Sequence, residues 1–224
     1  MSNFQNKYLV EAVVRIDGSS RLKKGNYFGT FPGVSVGWNL HKENFYQRSV
    51  LPKYISTIKP RLSYGVNGNV NSLGLYATAQ VFNNAGTYNG AGGTYVASYI
   101  NSDLRWERTN SLNFGADLGF IHDRVTLNFD YFIRNVYDKL ASLGISSQTG
   151  FTGFTTNLGQ LQNRGVEIAV NARLIEPKKA DGFSLEAGVN YFHVKSFAKK
   201  LPFNALPGNR SNGFFVWDPK NPGQ

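Results

Sequence analysis

The residues that could do chemistry by type and spacing are few. The most suggestive are Gly33-Val34-Ser35-Val36-Gly37, which fit the G-x-S-x-G pattern of a serine esterase. That chemistry needs a sharp, strained turn between a strand and a helix, which thrusts the serine out on an elbow. Here Ser35 stands between two valines, in a run whose alternation continues undisturbed through Trp38. Ser35 is therefore expected in mid-strand, on the polar side, and not as a nucleophile. His41, His122 and His193 fall in separate segments with no ligand-like spacing, and there is no H-E-x-x-H helix. Gly90-Ala91-Gly92-Gly93 lacks the following helix and the Lys-Ser/Thr pair of a phosphate cradle. The 14 acidic residues show no convincing pairing for glycosidase chemistry. The chain is expected not to be an enzyme: catalytic residues none, metal none, cofactors none.

One stretch remains as a candidate for ligand binding. Residues 67–105 are rich in Asn, Gly and Tyr, and Tyr76, Tyr88, Tyr95 and Tyr99 could form a platform that stacks on sugars or peptides. The same tyrosines could instead belong to an interfacial aromatic girdle or to a folded loop.

The elements that must position these residues follow a period of two, not 3.6. Tyr8, Val10, Ala12, Val14 and Ile16 share one face, with Glu11, Arg15 and Asp17 on the other. Val34, Val36, Trp38 and Leu40 alternate with Gly33, Ser35, Gly37 and Asn39, and Leu62, Tyr64 and Val66 with Arg61, Ser63 and Gly65. Leu112 to Phe120 and Val125 to Ile133 are two longer alternating runs joined by the short "IHDR", which predicts an antiparallel hairpin. Two more runs, 166–174 and 185–191, are linked by "EPKKADG". That makes about seven strands of roughly ten residues, long for a globular sheet and suited to a tilted membrane strand. The connections 18–28, 67–105 and 138–157 are long, whereas 121–124 and 175–183 are short and 41–57 is an exception. Long loops at one side and short turns at the other are the pattern of an outer-membrane barrel. A soluble antiparallel sandwich also alternates, and periodicity leaves it open.

Composition agrees with strands: aromatics are 14% and charged residues 17%, with Gly 24 and no Cys. Disulfides and thiolate metal sites are excluded. The net charge of +10 invites an acidic partner, but the basic residues are scattered beside Gly and Pro as solvated loop charge, so no nucleic acid is expected. No run of apolar residues is long enough for a membrane-spanning helix, a test that says nothing about a barrel.

"YLVEAVVRIDGSSRL", "GTFPGVSVGW", "RLSYGVNGN", "NSDLRWERTNSLNFGADLGF" and "LGQLQNRGVEIAV" occur in that order between Tyr8 and about Val194. They resemble successive landmarks of the SusC/RagA-type TonB-linked outer-membrane proteins (TonB-dependent receptors). The resemblance implies an all-β fold: antiparallel strands of a transmembrane β-barrel, here about seven of about 22, with long extracellular loops and short periplasmic turns. It implies nutrient uptake in the bacterial outer membrane, with a SusD-like surface lipoprotein, TonB, outer-membrane lipid and an oligosaccharide or peptide substrate as partners. Residues 1–224 are then expected to be a partial barrel domain, with the plug domain and the C-terminal closing strands absent. The alternative is a soluble or surface β-sheet carbohydrate-binding module. Lys59-Pro60-Arg61 departs from the family's frequent Lys-Leu-Arg, and since proline cannot donate to a ladder, Pro60 is expected to mark the periplasmic start of its strand.

Overall fold

The structure, a computed structural model, describes residues 2–176 and 183–200. Eight antiparallel strands form one open sheet: β1 (Ser2–Phe4), β2 (Tyr8–Gly18), β3 (Phe28–Trp38), β4 (Ile55–Asn69), then β7 (Glu107–Phe120), β8 (Val125–Gly144), β9 (Gly153–Ile175) and β10 (Leu185–Lys200). Two further strands, β5 (Phe82–Tyr88) and β6 (Ala91–Val96), pair only with each other, in the connection between β4 and β7.

All seven expected strands are present, and the additions have local causes. β1 is too short and polar to show a period, and it forms by pairing Ser2 with Val10 and Phe4 with Tyr8 across a turn where Gln5 and Asn6 take positive φ. The β5–β6 hairpin turns at Asn89-Gly90, both at positive φ, the dipeptide that favours a tight hairpin. The stretch expected as one long loop is therefore partly a hairpin. The loop expected at 138–157 shrinks to 145–152, because β8 and β9 resume pairing after an irregularity between Val136 and Leu140 and stay paired to Gly144 and Gly153. "EPKKADG" falls mostly, and the C-terminal "WDPKNPGQ" wholly, outside the described residues.

Pro60 is not at a strand start: it lies inside β4, opposite Ala116 of β7. The β3–β4 ladder ends one residue earlier, at Gly37 opposite Arg61, whereas the β4–β7 ladder runs through position 60. Pro60 thus stands where one flank no longer asks for an N–H, the only kind of interior position that a proline tolerates.

Register puts the apolar files side by side. Val125, Leu127, Phe129, Tyr131 and Ile133 of β8 lie opposite Phe120, Leu118, Ala116, Phe114 and Leu112 of β7. The file continues through Leu62 and Tyr64 of β4, Val36 and Val34 of β3, and Val10 and Ala12 of β2. On the other flank it meets Val170, Ile168 and Val166 of β9, then Val189 and Tyr191 of β10. On β8 this band runs from Val125 to Ile133, close to the ~9–11 residues that a tilted strand needs to cross a bilayer. Its side chains are open: Val14 is 66%, Phe114 50% and Val189 71% exposed. A soluble sandwich would bury this face under a second sheet, and the described residues supply none.

The opposite face is polar and internally bonded. Arg61 donates through Nε to Asp117 (3.0 Å) and through Nη2 to Asp130 (2.9 Å), and Asn128 also donates to Asp117 (2.9 Å). Gly115 makes room for this network, since a Cβ there would fall 2.6 Å from Asp130 Oδ1. Phe132, which interrupts the polar file in the sequence, is buried on this face and stacks on Phe192 at 6.3 Å.

The two ends differ. At the turn end, residues 121–124 reverse the chain with Ile121, His122 and Asp123 all at positive φ. The 39–54 connection is folded there too: Tyr46 is buried and donates to the Ile55 carbonyl, and Glu43 accepts from Lys7, Tyr8 and Trp38. Those donors, Lys7 first, hold the Glu43 carboxyl below its usual range. At the loop end, residues 19–27 and 70–106 build a small core of their own.

Candidate functional site

The loop end is held together by packing that starts from a few leucines. Leu22, Val70, Leu73, Leu104 and Leu140 form one buried cluster, bringing two separate connections and strand β8 together. Arg21 reaches over it to the carbonyls of Val70 and Leu73 (3.4 and 3.1 Å), satisfying loop backbone that would otherwise lack partners. Trp106 donates to the Tyr27 carbonyl at 3.3 Å and meets Phe31 edge-on at 5.4 Å. Phe31 is buried because Gly29 and Gly68 lie flat against its ring, where a Cβ at either would overlap it.

This framework shapes two adjoining hollows that share Asn26 and Arg105. The larger, about 590 Å³, is lined by Asn101, Asp103, Phe154 and Thr156 as well as the shared pair; the smaller, about 380 Å³, lies against Phe31, Trp106 and Arg108. Asn157 fixes the floor: it accepts from the Arg105 N–H at 3.0 Å and donates to the carbonyls of Arg105 and Asp138 at 2.9 and 2.7 Å. Asn26 donates to the Leu104 carbonyl and Asn101 to that of Thr155. Asp138 holds Arg105 at 3.3 Å and Arg108 at 3.9 Å, one carboxylate between two guanidiniums. Glu107, buried alongside, accepts from the Leu140 N–H and pairs with Lys139 at 3.7 Å.

Guanidinium donors, the Asp103 carboxylate, amides, a hydroxyl and aromatic rings suit a hydroxylated or zwitterionic ligand held by many moderate hydrogen bonds. Among the candidate tyrosines whose side chains are described, Tyr99 is the one brought to this place. Its ring lies 5.0 Å from Phe154 and 5.9 Å from Phe151, joining the 70–106 connection to the tip of the β8–β9 hairpin. Tyr95 stands on β6 at 52% exposure and Tyr76 at 71%, away from the hollows. Tyr88 ends β5, opposite Ala91, and its side chain lies outside the described residues. Asn26, Asn101, Asp103, Arg105, Thr156 and Asn157 were not legible as a site. Aromatic content drew attention to tyrosines, whereas the hollow is built by amides whose backbone partners lie on other connections.

Other singled-out residues have plain places. Ser35 sits inside β3, between Glu11 of β2 and Ser63 of β4, on the polar face. His41 meets the Ile58 backbone at 3.1 Å, His122 is in the 121–124 turn and His193 is on β10 opposite Val166.

Comparison with known proteins accords with this architecture. The family model described as "TonB dependent receptor-like, beta-barrel" matches residues 3–223. The TonB-dependent receptor SusC of Bacteroides thetaiotaomicron is 36% identical over 180 residues, covering 77% of this chain and 18% of that protein. TonB-dependent receptor P39 of Formosa agariphila is 32% identical over 199 residues, covering 89% of this chain and 18% of its own length. Among solved structures, the RagAB peptide importer in its "closed-closed" state superposes with a TM-score of 0.79 at 25% identity, over 91% of this chain and 22% of that one. The chain thus spans roughly a fifth of the length of these relatives. With its fold and sequence both matching, this chain belongs to the TonB-dependent receptor β-barrel family, among the SusC/RagA-type proteins.

Proposed function

We propose that residues 1–224 are a segment of the barrel wall of an outer-membrane importer for glycan or peptide fragments, working with a SusD-like surface lipoprotein and with TonB. The observation that carries this reading is the two-faced sheet: an open apolar band of bilayer depth on one side, and a charged, hydrogen-bonded face on the other. The polar face also has two buried acceptors, Asn113 Oδ1 and Asp130 Oδ1, with no donor among the described residues. They suit a plug domain lying inside the barrel. The loop end then faces the cell exterior. The hollow at Asp103 and Arg105 with Tyr99 beside it contacts substrate, while Tyr76, Tyr88 and Tyr95 on the 70–106 connection serve the ligand or the lid. SusC among the relatives and a peptide importer among the structural neighbours support import in general and leave glycan and peptide as two arms of the test.

The test uses the full-length protein in its own cells. A cysteine at Ala91 should be labelled from outside, and labelling from the periplasm alone would reverse the topology. Asp103→Ala combined with Arg105→Ala should cut uptake of one fragment class about tenfold or more, as expected when ~1.5–3 kcal/mol of charge-assisted hydrogen bonding is lost. Uptake unchanged on both glycan and peptide panels, at equal surface abundance, would remove the hollow from the transport path.

A further inference from the structure

Three cations gather on the apolar face at the upper margin of its band. Arg164 of β9 lies directly opposite Lys195 of β10, one step in register beyond the Val166–His193 pair. Lys199 follows on β10, and two of the three gather around Phe197: the Arg164 guanidinium is 4.5 Å and the Lys199 ammonium 6.0 Å from its ring centroid. Arg164, Lys195 and Lys199 are exposed, and none has an ion-pair partner among the described residues. Glu167, the nearest carboxylate along β9, belongs to the polar face, as shown by its pairing with Asp130. Like charges directly opposite each other across a ladder destabilise it, so this arrangement calls for an anion from outside the described residues. The cations also sit where the apolar band gives way to Gln162 and Asn135, the level at which a lipid headgroup meets the wall.

We infer that Arg164 and Lys199, seated on Phe197, together with Lys195 bind the phosphate of a phosphorylated glycolipid in the outer leaflet of the outer membrane. The inference rests on the importer reading for its orientation, since the cluster lies toward the loop end of the band. The guanidinium forks onto phosphate oxygens and the two ammoniums act as point charges beside it. Phe197 holds two of the cations in place by cation–π attraction and offers its edge to the first acyl carbons. Gln162 and Asn135 in the same row have amides free to meet sugar hydroxyls only in part, because Gln162 already donates to Asn135 at 2.8 Å. The phosphate is the dominant contact.

The experiment uses the full-length protein extracted from outer membranes into mild detergent, stripped of lipid, and titrated by native mass spectrometry. The probes are a phosphorylated lipid A, the same glycolipid after dephosphorylation, and phosphatidylglycerol. The protein should prefer phosphorylated lipid A to both others. K195Q should weaken it about fivefold and R164Q/K195Q/K199Q by about two orders of magnitude, following the usual gain of a basic residue at an anionic surface. Equal affinity for the dephosphorylated glycolipid, or no loss in the triple variant, would overturn the proposal. Preference for phosphatidylglycerol would overturn it too, by placing the cluster in the inner leaflet. Fractionation of the same cells separates this from the reading beneath it. Full-length protein absent from the outer membrane sinks the importer, whereas inserted protein whose triple variant keeps its lipid sinks only the glycolipid site.

Discussion

The two ends of the sheet reverse the chain by different physics. At the turn end, Ile121, His122 and Asp123 reverse the chain with three successive residues in the left-handed region, and a few hydrogen bonds to Tyr54, Ser56 and Arg173 fasten the turn. At the loop end, reversal is spread over the 19–27, 70–106 and 145–152 connections, whose shape depends on buried leucines and on amides bonded to distant carbonyls. A four-residue turn leaves little surface for a ligand. A packed set of loops buries a core to hold open hollows. The proposed ligand hollow accordingly lies at the end built from the longer connections.

The largest effect should come from breaking the loop-end core. Leu104 is 1% exposed at its centre. In the full-length protein Leu104→Ala should destabilise the 70–106 connection by about 2–5 kcal/mol. Amide exchange there should quicken while the barrel strands keep their protection, and slower or unchanged exchange would show that the connection does not depend on this core. Next comes the band between the two ends. Arginine at Phe129 should cost about 2–4 kcal/mol near the bilayer midplane and ~0–1 nearer either margin, as read from refolding into vesicles. Arginine at Asn128, on the polar face, should be tolerated far better. Similar costs at the two positions would refute the two-faced reading of β8. The smallest effect is at the turn end, and its sign is opposite. Ile121 is β-branched, 57% exposed and at φ 52°. Ile121→Gly should relieve about 1 kcal/mol of backbone strain, seen as a small rise in the unfolding midpoint. A fall would mean that the turn relies on the side chain after all.

Much of the wall was legible before any fold, because a strand with one apolar and one polar face writes its geometry into alternate residues. Leu112 to Phe120 and Val125 to Ile133 show both the hairpin and which face each side chain takes. Asn89-Gly90 is a tight-turn dipeptide, but the surrounding polar sequence makes residues 67–105 read as one loop and hides the hairpin that it closes. The extension of β8 and β9 past Val136 was not, since Asp138 takes φ 53° at a break in register that disrupts the alternation there.

The sequence by itself determined seven of the strands, their faces and the family, since these depend on residues within a few positions of one another or on landmarks in order. It also placed Ser35 within a strand, because the elbow that a nucleophilic serine needs is itself local. Only the tertiary structure decided that Pro60 lies within a strand, because that turns on where the ladder from β3 stops. It alone placed Asn26, Asn101, Asp103, Arg105 and Asn157 around one hollow, and Arg164 opposite Lys195. Such neighbours are set by register and by loop packing between connections tens of residues apart, and no local pattern of residue types encodes which amide will meet which carbonyl.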